Sequence, residues 1–103
     1  MVTLIKNHQK ELENLCRQYD VRRLEIFGSA ASGEGFDITT SDIDFLVEFL
    51  PMEPVEHSKA YFGLLEALQD MFARPIDLVE IRAVSNPYLI ESINESRSQI
   101  YAA

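Results

Sequence analysis

The sequence predicts an α+β fold, a small mixed β-sheet covered by helices, with its elements in the order α-β-β-α-β-α. Three segments carry apolar residues at helical spacing, and three short apolar runs bounded by glycine or proline alternate with them. No internal repeat or low-complexity tract breaks this order, and 103 residues is a common size for one domain, so residues 1–103 are read as one.

The first helix takes up about the first twenty residues. Leu4, Ile5, Leu12, Leu15, Cys16 and Tyr19 recur on one side, with Lys6, Lys10, Glu11, Glu13 and Arg17 between them, and Asp20 ends it. Val21 to Phe27 reads as a strand stopped by Gly28. Residues 28–41 have the glycine, serine and threonine content of a loop. The run Ile43-Phe45-Leu46-Val47-Phe49-Leu50, closed by Pro51, has the length of a buried strand.

After a turn from Pro51 to Pro54, a helical period runs from Val55 to Phe72. It places Phe62, Leu65, Leu68 and Phe72 on a core stripe flanked by Tyr61, Leu64 and Met71. Pro75 opens a third strand, Ile76 to Ile81. Asn86-Pro87 starts a final helix with Leu89, Ile90, Ile93 and Ile100 on its inner side.

Composition narrows the function. An apolar fraction of 47% supports one core, and a chain this short has no surface for a separate substrate lobe. The net charge of −8, with nine scattered Lys and Arg, disfavours binding to bare nucleic acid. It is compatible with a nucleotide whose metal ions cancel charge locally, and with a basic protein partner. The lone Cys16 sits among apolar helix positions and reads as a buried structural thiol. No signal-peptide core or membrane-length apolar stretch is visible, which places the expectation in the cytoplasm, away from membranes.

Three features carry chemistry. Gly28-Ser29 ends a strand, where glycine allows a sharp turn whose N–H groups approach an anion and Ser29 adds a hydroxyl. Asp42 and Asp44 are two residues apart at a strand entrance, so their carboxylates share a face about 6.6 Å apart along the chain. Such a pair can lean around a magnesium ion that draws its other oxygens from phosphate and water. Asp77 is a charge inside a short apolar strand, costly unless paired or metal-bound, and beside the Asp42/Asp44 strand it completes a three-carboxylate cluster.

Each feature alone has a plainer reading. Ser41-Asp42-Ile43-Asp44 matches a helix-capping pattern, Asp77 could be an edge charge in water, and Gly-Ser is an ordinary turn. Glu34 and Glu80 read as solvated charges, and His8 and His57 as surface residues. Arg22 and Arg23 precede the first strand without a clear role.

Taken in order, Gly28-Ser29, Gly33-Glu34, Ser41-Asp42-Ile43-Asp44-Phe45-Leu46-Val47 and Ile76-Asp77-Leu78-Val79 resemble the DNA polymerase β-like nucleotidyltransferase superfamily, above all its minimal (MNT) branch. The resemblance runs from the strand before Gly28 to the closing helix. It implies that Gly28 and Ser29 hold the phosphates of ATP, and that Asp42, Asp44 and Asp77 are catalytic and bind magnesium, as two ions. It implies further that AMP is transferred to a hydroxyl of a helical HEPN protein, for which the chain acts as antitoxin in a homo- or hetero-oligomer.

Two departures from the family pattern stand out. Twelve residues, Ala30 to Ser41, separate Ser29 from Asp42, more than the minimal branch commonly has. Ala30-Ala31-Ser32 occupies the place where a basic residue often follows the Gly-Ser pair. They motivate an alternative, a catalytically weak binding module that neutralises its partner by complex formation.

Overall fold

The computed structural model describes residues 1–103. Four strands, β1 (Val21–Phe27), β2 (Ile43–Phe49), β3 (Ile76–Glu80) and β4 (Ser98–Ala102), form one mixed sheet in the order β3-β2-β1-β4. β1 pairs antiparallel with both β2 and β4, whereas β2 and β3 are parallel. The helices are α1 (Thr3–Lys6), α2 (Gln9–Gln18), α3 (Ser29–Ser32), α4 (Pro54–Phe72) and α5 (Pro87–Ser96), with a 3-10 turn at Ile81–Ala83. The parallel β2–β3 pair requires a long crossover, which α4 supplies.

Both faces of the sheet are covered, and this explains the near-continuous apolar runs of β1 and β2. Leu24 and Ile26 of β1, and Ile43, Phe45 and Val47 of β2, face the main core with Leu12 and Cys16 of α2 and Leu64, Leu68 and Phe72 of α4. On the other face, Phe27 and Leu46 pack under Ile93 of α5 in a smaller cluster. Cys16 is fully buried, as expected, and burial pushes its thiol up to about 12.

The fold class matches the expectation, with four corrections to its elements. The N-terminal helix is broken at Asn7-His8 into α1 and α2, while Asp20 does end it, with a positive φ of 55°. The loop after Gly28 contains the short α3. The final helix stops at Ser96, so Ile100 is buried on β4 rather than on the helix, and Leu89 is exposed. β1 has a second edge whose N–H and C=O groups need partners, and β4 supplies them.

The fourth correction concerns α4. Phe62 is 63% exposed, and the buried line is Ala60, Leu64, Leu68 and Phe72. Gly63 lies close to Tyr19, where an added Cβ would be 2.5 Å from Cε1 of the ring, so the missing side chain lets the ring approach the helix backbone.

The two histidines are half-buried rather than superficial. The His8 ring bonds the Leu4 carbonyl at 2.8 Å and meets Phe72 edge-on. His57 bonds Glu80, which lies on the face of β3 opposite Asp77 but is a paired residue rather than a free surface charge.

Candidate active site

The carboxylates anticipated from the sequence converge at one end of the sheet. In the ladder, Asp44 stands opposite Phe27 of β1 on one side and opposite Asp77 of β3 on the other. Ile43 and Phe45 are buried in the main core, so Asp44 points to the other face, as does Asp77 between Ile76 and the buried Leu78. Asp42 immediately precedes β2 and is exposed. Its strand setting removes the helix-capping reading of Ser41 to Asp44.

Gly28 closes the arrangement from the β1 side. Its φ of 70° suits glycine, and a Cβ there would sit 2.5 Å from Oδ2 of Asp44. Two independent constraints therefore require glycine at this position, one conformational and one steric. Its N–H donates to Oγ of Ser96 at 2.8 Å, and its carbonyl accepts from Ala31 and Ser32 as α3 begins. Ser29, half-buried, is the first residue of that helix.

The electrostatics are one-sided. Burial, then the charge of Asp77, then that of Asp42, push the Asp44 carboxyl from 3.8 up to about 6. The ion pairs of the protein engage Glu25, Glu48, Glu56 and Glu80, and none reaches Asp42, Asp44 or Asp77. Three like charges without a counter-cation form an arrangement that a bound cation would stabilise. No three His, Cys, Asp or Glu side chains stand close enough to hold a metal on their own. Hard oxygen donors, excess negative charge and an incomplete cage fit magnesium, which completes its shell with phosphate oxygens and water.

Two residues at this end carried no sequence signal. Ser96 holds the Gly28 turn from the end of α5. Arg74, between α4 and β3, reaches the carbonyls of Ile38, Ser41 and Phe72 and lies 5.8 Å from the Phe36 ring centroid. Both act across long sequence separations, which local pattern cannot reveal. Arg22 and Arg23 are at the far end of β1 from Gly28 and pair with Glu48 and Glu25. Glu34 is an exposed loop residue, as expected.

A cavity of about 440 Å³ lies at the opposite end of the sheet, lined by residues that include Arg22, Glu48, Met52, His57, Glu80 and Arg82. It contains none of the three aspartates.

A nucleotidyltransferase domain model matches residues 8–100. The chain belongs to the nucleotidyltransferase family. Two relatives from Methanocaldococcus jannaschii, MJ0128 and MJ1379, bear the provisional name protein adenylyltransferase. They are 38% and 34% identical to this nucleotidyltransferase over 92 residues, 89% of its chain and 86% of theirs. A solved structure provisionally named minimal nucleotidyltransferase superposes with a TM-score of 0.71 at 26% identity, covering 91% of this chain and 90% of that one. A toxin–antitoxin crystal structure with AMP-PNP shares the fold, with a TM-score of 0.68 at 21% identity over 92% of this chain and 73% of that one.

Proposed function

We propose that this nucleotidyltransferase transfers AMP from ATP to a hydroxyl on a helical partner protein of the HEPN class, with Mg²⁺ bound at Asp42, Asp44 and Asp77. The observation that carries the reading is the in-register placement of Asp44 beside Asp77, with Asp42 two residues away and Gly28 pressed against the Asp44 carboxylate. Support for the protein acceptor comes from the M. jannaschii relatives named as protein adenylyltransferases. A fold neighbour described as a tri-AMPylated Shewanella oneidensis HEPN toxin in complex with MNT antitoxin supports the partner class.

In this reading the attacking hydroxyl oxygen bonds to the α-phosphorus, the bond to the β-phosphate oxygen breaks, and pyrophosphate leaves. Two Mg²⁺ ions held by Asp42, Asp44 and Asp77 would supply neutralisation of the charge that develops on the phosphates. Asp42 and Asp44 fix the nucleotide end of the site from β2. Asp77, on the neighbouring strand, orients the acceptor hydroxyl and assists its deprotonation. Ser29 contributes its hydroxyl to the phosphates. Gly28 contributes mainly by what it lacks, since its N–H already serves Ser96 and its bare Cα gives Asp44 room.

A second reading is supported by one observation. Ala30 and Ala31 are buried in the core, so no cation projects from the turn after Gly28-Ser29. With triphosphate binding weakened there, the chain would neutralise its partner by complex formation alone. Incubation of the purified pair with labelled ATP and Mg²⁺ separates the two. Label on the partner's hydroxyl residues, lost in Asp42→Asn, is the expected result. No label under any metal or nucleotide, with neutralisation intact in Asp42→Asn, would establish the binding module instead.

A further inference from the structure

We propose that Arg74 is a positioning residue for nucleotidyl transfer, clamping the segment before Asp42 to the strand that bears Asp77. The inference rests on the assignment of Asp42 and Asp77 above. It goes beyond that assignment by naming what sets their relative position.

Asp42 and Asp77 lie on different segments, and Asp42 follows a long exposed stretch. Residues 37–40 are all exposed. Their order is local: Oδ1 of Asp37 accepts from the N–H and hydroxyl of Thr39, and the Asp37 N–H donates to Ser41 Oγ at 2.8 Å. Such bonds shape a loop without fastening it to the body of the protein. Fastening comes from Phe36, which packs against the main core, and from Arg74.

Arg74 follows Ala73, which ends α4 in a left-handed conformation with φ of 51°, and precedes Pro75 and β3. Its Nη1 donates to the Ser41 carbonyl at 3.3 Å, its Nη2 to the Ile38 carbonyl, and its Nε to the Phe72 carbonyl at 3.4 Å. The Ser41 carbonyl belongs to the peptide group that also carries the Asp42 nitrogen, so Arg74 holds the link on which Asp42 hangs. One residue further on, the Ile43 N–H donates to the Pro75 carbonyl at 3.4 Å. Residues 41–43 are thus stitched to residues 74–75, two to three positions before Asp77.

The choice of partners distinguishes a clamp from a surface charge. In a chain with 17 acidic residues, Arg74 makes no salt bridge and directs all its assigned bonds to backbone carbonyls. A planar guanidinium can serve several carbonyls and cover the Phe36 ring at once, which a lysine ammonium cannot. Released from the clamp, the loop would sample many placements of Asp42. Misplacement of a reacting group by about 1 Å can cost about 100-fold in rate.

The test compares wild type, Arg74→Ala and Arg74→Lys, in complex with the partner protein. It measures transfer kinetics from ATP and hydrogen exchange of segment 36–43. Arg74→Ala is expected to lower kcat about 10- to 100-fold, to leave KM for ATP within about twofold, and to speed exchange in 36–43 only. Arg74→Lys is expected to recover a minor part of kcat, and it serves as the working variant if Arg74→Ala does not fold. Unchanged exchange, or faster exchange with unchanged kcat, overturns the proposal. A raised KM for ATP at constant kcat also overturns it, since Arg74 would then bind phosphate directly. Absence of transfer by the wild type overturns the proposed function and this inference together, whereas equal transfer by wild type and Arg74→Ala overturns the inference alone.

Discussion

The two ends of the sheet treat charge in opposite ways. At one end Asp42, Asp44 and Asp77 stand together without a cation. Toward the other end Glu48 is shared by Arg22 and Arg82, and Glu80 meets His57. Between them Glu25, only 7% exposed, is held by Arg97 at 2.6 Å. The hydrogen bonds to Glu25 also raise the Arg97 guanidinium further above its ordinary value. Glu25, Glu48 and Glu80 are thus compensated within the fold, whereas the three aspartates of the proposed site are not. The cavity of about 440 Å³ lies at the compensated end.

Substitutions should separate the ends. The largest expected effect is on rate: Asp44→Asn should reduce nucleotidyl transfer by about 10³-fold, about 4 kcal/mol of transition-state stabilisation. The same variant should fold at least as well as wild type, measured by urea denaturation without divalent metal, because it removes repulsion. Glu25→Ala should do the reverse. Losing the bonds from Arg97, which stays partly exposed and keeps Asn94, should cost about 1–3 kcal/mol of stability in the same denaturation assay, with activity per folded molecule retained.

Gly28→Ala joins the two behaviours, since its Cβ would strike Oδ2 of Asp44 and its backbone, with φ of 70° and ψ of −152°, lies in a region that favours glycine. A loss of about 1–3 kcal/mol in stability together with loss of transfer is expected, read by thermal melts and the labelling assay. The smallest effect is the pH dependence. Because Asp44 is raised to about 6, the folded chain binds that proton more tightly than the unfolded chain. Its contribution to stability is therefore greatest below about pH 4 and declines as pH rises to about 6. The decline should be about 1–2 kcal/mol after solvent screening of this half-buried group. Melting curves in metal-free buffer should show it in the wild type and not in Asp44→Asn.

Much of this contrast was legible in the sequence. β1, β2 and β3 appeared as apolar runs because both faces of the sheet are covered, and Asp42, Asp44 and Asp77 appeared as charges at the starts of two of them. What stayed hidden was set by distant contacts. Ile100 follows Ile93 by seven residues, a helical interval, but Arg97 is drawn to Glu25 and the chain leaves the helix to pair with β1. Phe62 continues an i, i+3 stripe, yet α4 buries Leu64 instead and sets Gly63 against Tyr19. Ser96 and Arg74 reach the site from 68 and 33 residues away in sequence, so no local pattern could mark them.

In the proposed function, the adjacency of Asp77 to Asp44 is what turns two ordinary features into a catalytic site. The direct measurement is transfer from labelled ATP to the partner by Asp77→Asn, alongside its denaturation curve. A folded variant of unchanged or slightly higher stability is expected, with transfer at least about 100-fold slower. Wild-type transfer by a folded Asp77→Asn would contradict the proposal.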